Sequence, residues 1–315
     1  MDGTPQDKPL TGPQTVPLTG IESVAERLRL IRIVSQQRRY HGRPTPLLPS
    51  KPEIISVLTD VVGLLYPRHF GPPGLTPDET DAHVLRMLGS VRQRLRQQVE
   101  REWHLSESHP GEAGSSHAAV VAAGFVDSLV RIRDLHDTDI AAAYAGDPSA
   151  KSLDEIVFCF PGVSAILHHR IAHELYRLGA PMTARIMAEY SHSVTGIDIH
   201  PGARIGPAFF ADHGTGVVIG ETSVIGRNVR IYQQVTLGAK RFEADESGAL
   251  VKGQPRHPVI EDDVVIYAGA AILGRITIGR GSVIGGGVWL TEGVPPGTAV
   301  TQAKPQLSVV ALRQA

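Results

Sequence analysis

Residues 259–290 read VIEDDVVIYAGAAILGRITIGRGSVIGGGVWL. Within this stretch Ile260, Ile266, Ile272, Ile278, Ile284 and Leu290 recur at intervals of six. An α-helix repeats every 3.6 residues and a half-buried strand every two, so neither has that spacing. A period of six belongs to a parallel β-helix built from hexapeptide repeats. Upstream, Ile219, Ile225, Ile231 and Leu237 keep the step, as do Ile199 and Ile205, with Ala211 in the next slot. Two residues before these positions come small or β-branched side chains, among them Val217, Ser223, Val229, Val264, Ala270 and Ser282. Gly220, Gly226, Gly238, Gly279 and Gly285 directly follow an aliphatic slot. Three hexads close one triangular coil, so each aliphatic side chain points inward and stacks on its counterpart one coil away. The small residue lets the chain turn a corner, and glycine relieves crowding there. The thirteen inward slots make a little over four coils. The period by itself carries no handedness.

Two breaks interrupt the repeat. From Ala211 to Ile219 the step is eight, and Asp212-His213-Gly214-Thr215-Gly216 lies inside it. From Leu237 to Ile260 the step is 23, which extrudes a polar loop from about Ala239 to Pro255. Insertions in a solenoid map to loops, often on the binding face, so chemistry is expected where the repeat fails.

Outside this region the pattern is helical. Leu167, Ile171, Leu175 and Leu178 share one helix face, Gly179 sits at a helix end and Pro181 at the next start. Further helices are expected over 21–39, 51–66, 78–106, 117–145 and 181–194. The expected organisation is a disordered tail over 1–20, a helical domain over 21–195, a β-helix over 196–300 and a C-terminal tail over 301–315, an α+β chain. The 315 residues carry 31 Lys and Arg against 32 Asp and Glu, a net charge of -1. No global basic field exists to hold nucleic acid or an anionic membrane. A single cysteine, Cys159, excludes an internal disulfide framework and a four-cysteine zinc site. It fits a reducing cytoplasm. The longest uncharged, mostly apolar stretch, Ile156 to Leu167, is twelve residues, short of the ~18 a membrane span needs. The N-terminus lacks a basic segment followed by an apolar run, so no secretory signal is expected.

Candidate chemistry gathers at the breaks. A lone histidine is more often structural than catalytic, but His213 sits inside an insertion. Asp198 precedes it by fifteen residues, a little under one coil, so its carboxylate is within reach of the ring. That pairing supplies a base and its orienter. Arg256-His257-Pro258 closes the long loop; an arginine there can grip a carboxylate, or simply be a surface residue. Gly214, Gly216 and Gly220 do not form a dinucleotide loop, because the spacing is wrong and no βαβ unit surrounds them; the repeat accounts for them. His169 and His173 lie four apart on a helix without a third ligand, so no metal is expected. A metal between subunits at Asp198, His200, His213 and His257, as in β-helical carbonic anhydrases, is a minor alternative.

Taken together, Asp147-Pro148-Ser149-Ala150, His169-Arg170-Ile171-Ala172-His173, Asp198-Ile199-His200-Pro201, Asp212-His213-Gly214-Thr215-Gly216, Gly220-Glu221-Thr222, Val235-Thr236-Leu237-Gly238 and Arg256-His257-Pro258 resemble the bacterial-type serine O-acetyltransferases. The match covers roughly residues 140–300. The hexapeptide period alone resembles only the wider superfamily of left-handed β-helix acyltransferases.

The resemblance implies an enzyme using acetyl-CoA as co-substrate to acetylate L-serine for cysteine biosynthesis. It implies His213 as general base and Asp198 as its orienting carboxylate. Asp147 and Asp212 match the acids on the substrate ammonium, and Arg256 and His257 the groups on its carboxylate. Ala239 and Ala268 match positions whose backbone binds the pantetheine arm. It further implies a homotrimer or dimer of trimers with sites between subunits, and feedback inhibition by L-cysteine. A complex with O-acetylserine sulfhydrylase through an isoleucine-ended tail is not expected, because Ala315 offers less apolar area. The chain departs from the family in its long loop, in Thr301-Gln302-Ala303-Lys304-Pro305 near the adenine end of the CoA site, and in its first 140 residues, which match the family poorly. Rival readings are an acyltransferase acting on a sugar, antibiotic or homoserine, and a non-catalytic scaffold.

Overall fold

A computed structural model of the protein describes residues 20–105, 113–241 and 244–303. The expected tails over 1–19 and beyond residue 303, Ala315 included, lie outside the described residues. The chain divides into two units, Met1–Leu47 and Leu48–Ala315. The first carries α1 (Ile21–Arg39), none of whose residues is buried.

In the second unit, α2 (Lys51–Leu65), α3 (Pro67–Phe70), α4 (Pro77–Trp103), α5 (Ala113–Gly146), α6 (Leu153–Cys159), α7 (Pro161–Arg177) and α8 (Pro181–Thr195) precede the strands. The short α3 and α6 were not expected. Each begins at a local signal, Pro67 at the first helical position and Ser152 capping the Glu155 N–H. Thr76 and Glu79 form a capping box at the start of α4. Ala180 cannot cap α8, so Glu102 of α4 does so from a distance, accepting from Met182 N at 2.7 Å and Thr183 N at 2.8 Å. The expected stripe on α7 is buried at Leu167, Ile171 and Leu175. None of the described helices is long and apolar enough to cross a membrane.

The coil has three parallel faces among the described residues. Face I holds β1 (Asp198–Ile199), β4 (Val218–Ile219), β7 (Thr236–Gly238), β10 (Ala271–Leu273) and β13 (Trp289–Leu290). Face II holds β2 (Arg204–Ile205), β5 (Val224–Ile225), β8 (Val259–Ile260) and β11 (Thr277–Ile278). Face III holds β3 (Phe210–Ala211), β6 (Arg230–Ile231), β9 (Val265–Ile266), β12 (Val283–Ile284) and β14 (Ala299–Val300). The aliphatic slots stack in register: Ile199, Ile219, Leu237, Ile272 and Leu290 on face I, and Ile205, Ile225, Ile260 and Ile278 on face II. Burying each such side chain contributes about 1.5–3 kcal/mol, and the column runs the length of the prism. The coil extends past Leu290 through Val294, which bridges to Ile278, and Val300, which pairs with Ile284. The sequence period missed these slots because Val294 follows Leu290 by four residues instead of six.

Helices and coil are joined by a buried ion pair. Arg170 of α7 forks onto Asp139 of α5 at 2.7 and 2.8 Å and also donates to the Gly206 carbonyl at 2.9 Å. Asp139 in turn accepts from Phe209 N at 2.9 Å. At the foot of α7, a Cβ on Gly162 would come 2.0 Å from the Ala211 carbonyl oxygen. Only glycine allows that approach, which fixes where β3, and hence Asp212, emerges.

Candidate active site

The strand order assigns each insertion to an edge of the prism. The chain runs from face III to face I through the III/I edge, and from face I to face II through the I/II edge. The first break, residues 212–217, lies on the III/I edge and the long loop on the I/II edge.

Corners of the coil use left-handed residues stacked in columns. On the III/I edge these are Gly196 (φ 71), Gly216 (φ 77), Gln234 (φ 60), Gly269 (φ 71) and Gly287 (φ 66). On the edge between faces II and III they are Ala208, Asn228, Asp263, Gly281 and Gly297. His213, at φ 56, belongs to neither column. The two extra residues of the eight-residue step put it there. Gly214 N bonds back to Asp212 O at 2.6 Å, so His213 is the centre of a three-residue turn with positive φ, a strained form. Gly214 cannot be replaced freely, since its own φ is 75 and a Cβ there would also come 2.4 Å from Ile197 Cδ1. Of the glycines that the repeat was expected to explain, it therefore explains Gly216; Gly214 answers to the left-handed turn after His213 and Gly220 to a close contact.

The His213 side chain is 76% exposed, with Nε2 3.9 Å from Asp212 Oδ1. Burial raises the Asp212 carboxyl above its ordinary range; the facing His213 opposes this and Asp147 adds to it. Asp147, just past α5, accepts from Ser149 N at 2.8 Å. That bond holds its carboxyl below the usual range, with a smaller contribution from His213. Two acids and an imidazole thus converge on the III/I edge. Asp198 stands on β1, paired with Val218, beside the same edge. Among the described residues its side chain makes no hydrogen bond, to His213 or to any other.

Arg256 and His257 lie on the I/II edge. Arg256 Nη2 donates to Glu221 Oε2 at 2.6 Å, and Tyr176 Oη of α7 donates to Glu221 Oε1 at 3.1 Å. These bonds outweigh burial and lower the Glu221 carboxyl. The His257 ring is held by Thr222, whose N–H donates to Nδ1 at 3.1 Å. Nδ1 is therefore an acceptor and Nε2 carries the proton. Burial first, then the neighbouring Arg256, pushes His257 down to about 4; burial and Arg185 do the same to His200 on this edge. Both rings are neutral donors at neutral pH.

The remaining expected positions divide the same way. Ala268 lies on the III/I edge, its carbonyl accepting from Gly287 N at 2.9 Å. Ala239 directly follows β7 on the I/II edge. The sequence reading missed Tyr176 and Arg275, the latter bonded to the carbonyls of Thr222 and His257; no local signal marks them. The four residues of the alternative metal set are split, His200 and His257 on one edge and His213 on the other. His173 Nδ1 is 2.8 Å from the Pro201 carbonyl. Among the described residues no group of three potential ligands is placed to hold a metal ion.

Comparison with known proteins gives a consistent answer. The family described as "Bacterial transferase hexapeptide (six repeats)" matches residues 257–292. "Serine acetyltransferase, plasmid" of Synechococcus elongatus is 56% identical over 263 residues, 82% of each chain. That similarity extends well beyond the segment carrying the motifs. Serine acetyltransferase of Mycobacterium tuberculosis is 46% identical over 169 residues, 54% of this chain and 70% of the relative. In fold, the crystal structure of Entamoeba histolytica serine acetyltransferase 1 in complex with L-cysteine matches with a TM-score of 0.70 at 34% identity, covering 89% of this chain and 97% of that one. The architecture is a helical region followed by a left-handed parallel β-helix. With hexapeptide coils, the two furnished edges and these relatives agreeing, the chain belongs to the serine acetyltransferase family.

Proposed function

We propose that the protein transfers the acetyl group of acetyl-CoA to the hydroxyl of L-serine, giving O-acetyl-L-serine and CoA, the first step of cysteine biosynthesis. The observation that carries this reading is the split of the expected groups between the two edges flanking face I. His213, Asp212, Asp147 and Ala268 stand on one edge; Arg256, His257 and Ala239 on the other. A closed three-fold ring turns face I of every copy toward the axis and brings the III/I edge of one protomer against the I/II edge of the next. The site is then shared, in a trimer or a dimer of trimers. The β-helix over 196–300 is the catalytic domain, preceded in the chain by the helical domain over 21–195.

In this site Asp147 and Asp212 hold the serine ammonium. Arg256 and the Nε2–H of His257 hold its carboxylate, so the amino acid bridges two protomers. His213 takes the hydroxyl proton as the serine oxygen adds to the thioester carbonyl. Asp198 orients the ring and stabilises the imidazolium as the second protomer closes the cleft. The tetrahedral intermediate collapses, the C–S bond breaks, and His213 returns the proton to the departing sulfur. Backbone groups at Ala239 and Ala268 position the pantetheine arm. L-Cysteine, differing by sulfur for oxygen, fits the same four groups and competes with serine. The cytoplasm supplies both substrates.

The test is thiol release from acetyl-CoA with L-serine, L-homoserine and amino sugars as acceptors. Serine should be preferred by the largest kcat/KM. Preference for another acceptor, or no turnover with any, would overturn the reading.

A further inference from the structure

Outward-facing residues beside the III/I edge on face I form one registered column: Asp198, Val218, Thr236, Ala271 and Trp289. It starts at the proposed orienting carboxylate and ends in an indole that is 69% exposed. Across the edge, on face III, Asp212 is followed one and two coils on by Tyr232 and Tyr267, whose rings stack at 5.1 Å and 7°. The floor between these walls is corner backbone, tied coil to coil by Gly216 N to Gly196 O, Gln234 N to Thr215 O, Gly269 N to Gln233 O and Gly287 N to Ala268 O. At the level of Trp289 the corner is Gly285-Gly286-Gly287, without side chains. The edge is thus a shallow track with the acids and His213 at one end and an open aromatic face at the other.

Its length selects a ligand. From β4, which follows His213, to β13 there are three inter-strand steps through β7 and β10, about 14 Å at ~4.8 Å each. A pantetheine arm has as many bonds from sulfur to its phosphate oxygen as four extended residues, about 14 Å. A thioester reacting at His213 with its arm along this track delivers its nucleotide beside Trp289. We propose that Trp289 is the stacking platform for the adenine base of the acyl donor. The inference rests on the proposed function in placing the reacting end at His213. It adds a donor-specificity residue two positions after Gly287, whose carbonyl accepts from Gln302 of the divergent C-terminal segment.

The test compares acetyl-CoA with S-acetylpantetheine, which lacks the nucleotide, at saturating serine, in the wild type, Trp289→Phe and Trp289→Ala. Trp289→Ala should raise the KM for acetyl-CoA about tenfold, the scale of one base–aromatic stack. The KM for S-acetylpantetheine should move less than twofold, and Trp289→Phe should retain most of the acetyl-CoA affinity. In a Trp103→Phe background, CoA should quench the remaining indole emission and pantetheine should not. An equal change for both donors, with or without loss of the oligomer, or an unchanged KM for acetyl-CoA, would overturn the inference. Failure of the underlying reading looks different: the wild type would not turn over acetyl-CoA and serine at all.

Discussion

The imidazole of His257 occupies the space a side chain on Gly220 would need: a Cβ there would lie 2.0 Å from the ring Cδ2 and 2.1 Å from Nε2. Gly220 has no positive φ, so close approach alone requires glycine. Gly220→Ala should therefore displace the ring while leaving the coil folded, at about 1–3 kcal/mol of stability, the usual cost of overpacking. Steady-state kinetics should show the KM for serine rising several-fold or more, with the KM for acetyl-CoA little changed. An unchanged KM for serine would remove His257 from the substrate site.

His213→Ala should lose about 10²–10⁴-fold in kcat, the range for one positioned acid–base group. Asp198→Asn should lower kcat too. On the proposed mechanism the two act as a unit, so the double variant should be little worse than His213→Ala alone. Multiplying penalties would deny Asp198 its orienting role.

Cysteine should inhibit competitively with serine. Calorimetric titration of Arg256→Ala should show cysteine affinity falling together with the apparent affinity for serine, since in the proposed site both carboxylates meet the same guanidinium. Cysteine binding untouched by this substitution would place the inhibitor elsewhere.

Several histidines are folded in a neutral form. Burial holds His136, His168 and His200 down to about 4, and His257 likewise. A histidine lowered in the folded state binds fewer protons there than in the unfolded chain. Its contribution is complete above the unfolded value near 6.5 and is lost as pH falls toward 4. For a group as enclosed as His136 this is on the order of 3 kcal/mol. Denaturant midpoints should stay level above about pH 7 and fall steeply between 6.5 and 4. A flat profile through that window would show that these rings are not neutral by burial.

How far the sequence foretold this molecule depends on the distance over which each feature is decided. The six-residue period is local, and it located every inward aliphatic slot from Ile199 to Leu290. It lost Val294 because two residues are missing from that hexad. The breaks in the period pointed to Asp212, His213, Arg256 and His257, since an insertion must leave the coil. The hold of Tyr176 and Glu221 on Arg256 was not legible, because α7 and the I/II edge meet only through tertiary packing. That His213 and Arg256 stand on different edges follows from counting three hexads to a coil. How those edges meet across protomers is a property of the assembly, which no period within one chain encodes.

The central claim is that each active site draws His213 and Arg256 from neighbouring protomers. Differently tagged His213→Ala and Arg256→Ala chains, each inactive or nearly so alone, can be co-expressed and the mixed trimers purified through both tags. Every mixed trimer contains one junction with His213 from one chain and Arg256 from the next, so about a third of wild-type sites should be restored. Serine acetylation at about that level is the predicted result. Mixed trimers no more active than the parent variants would contradict a shared site.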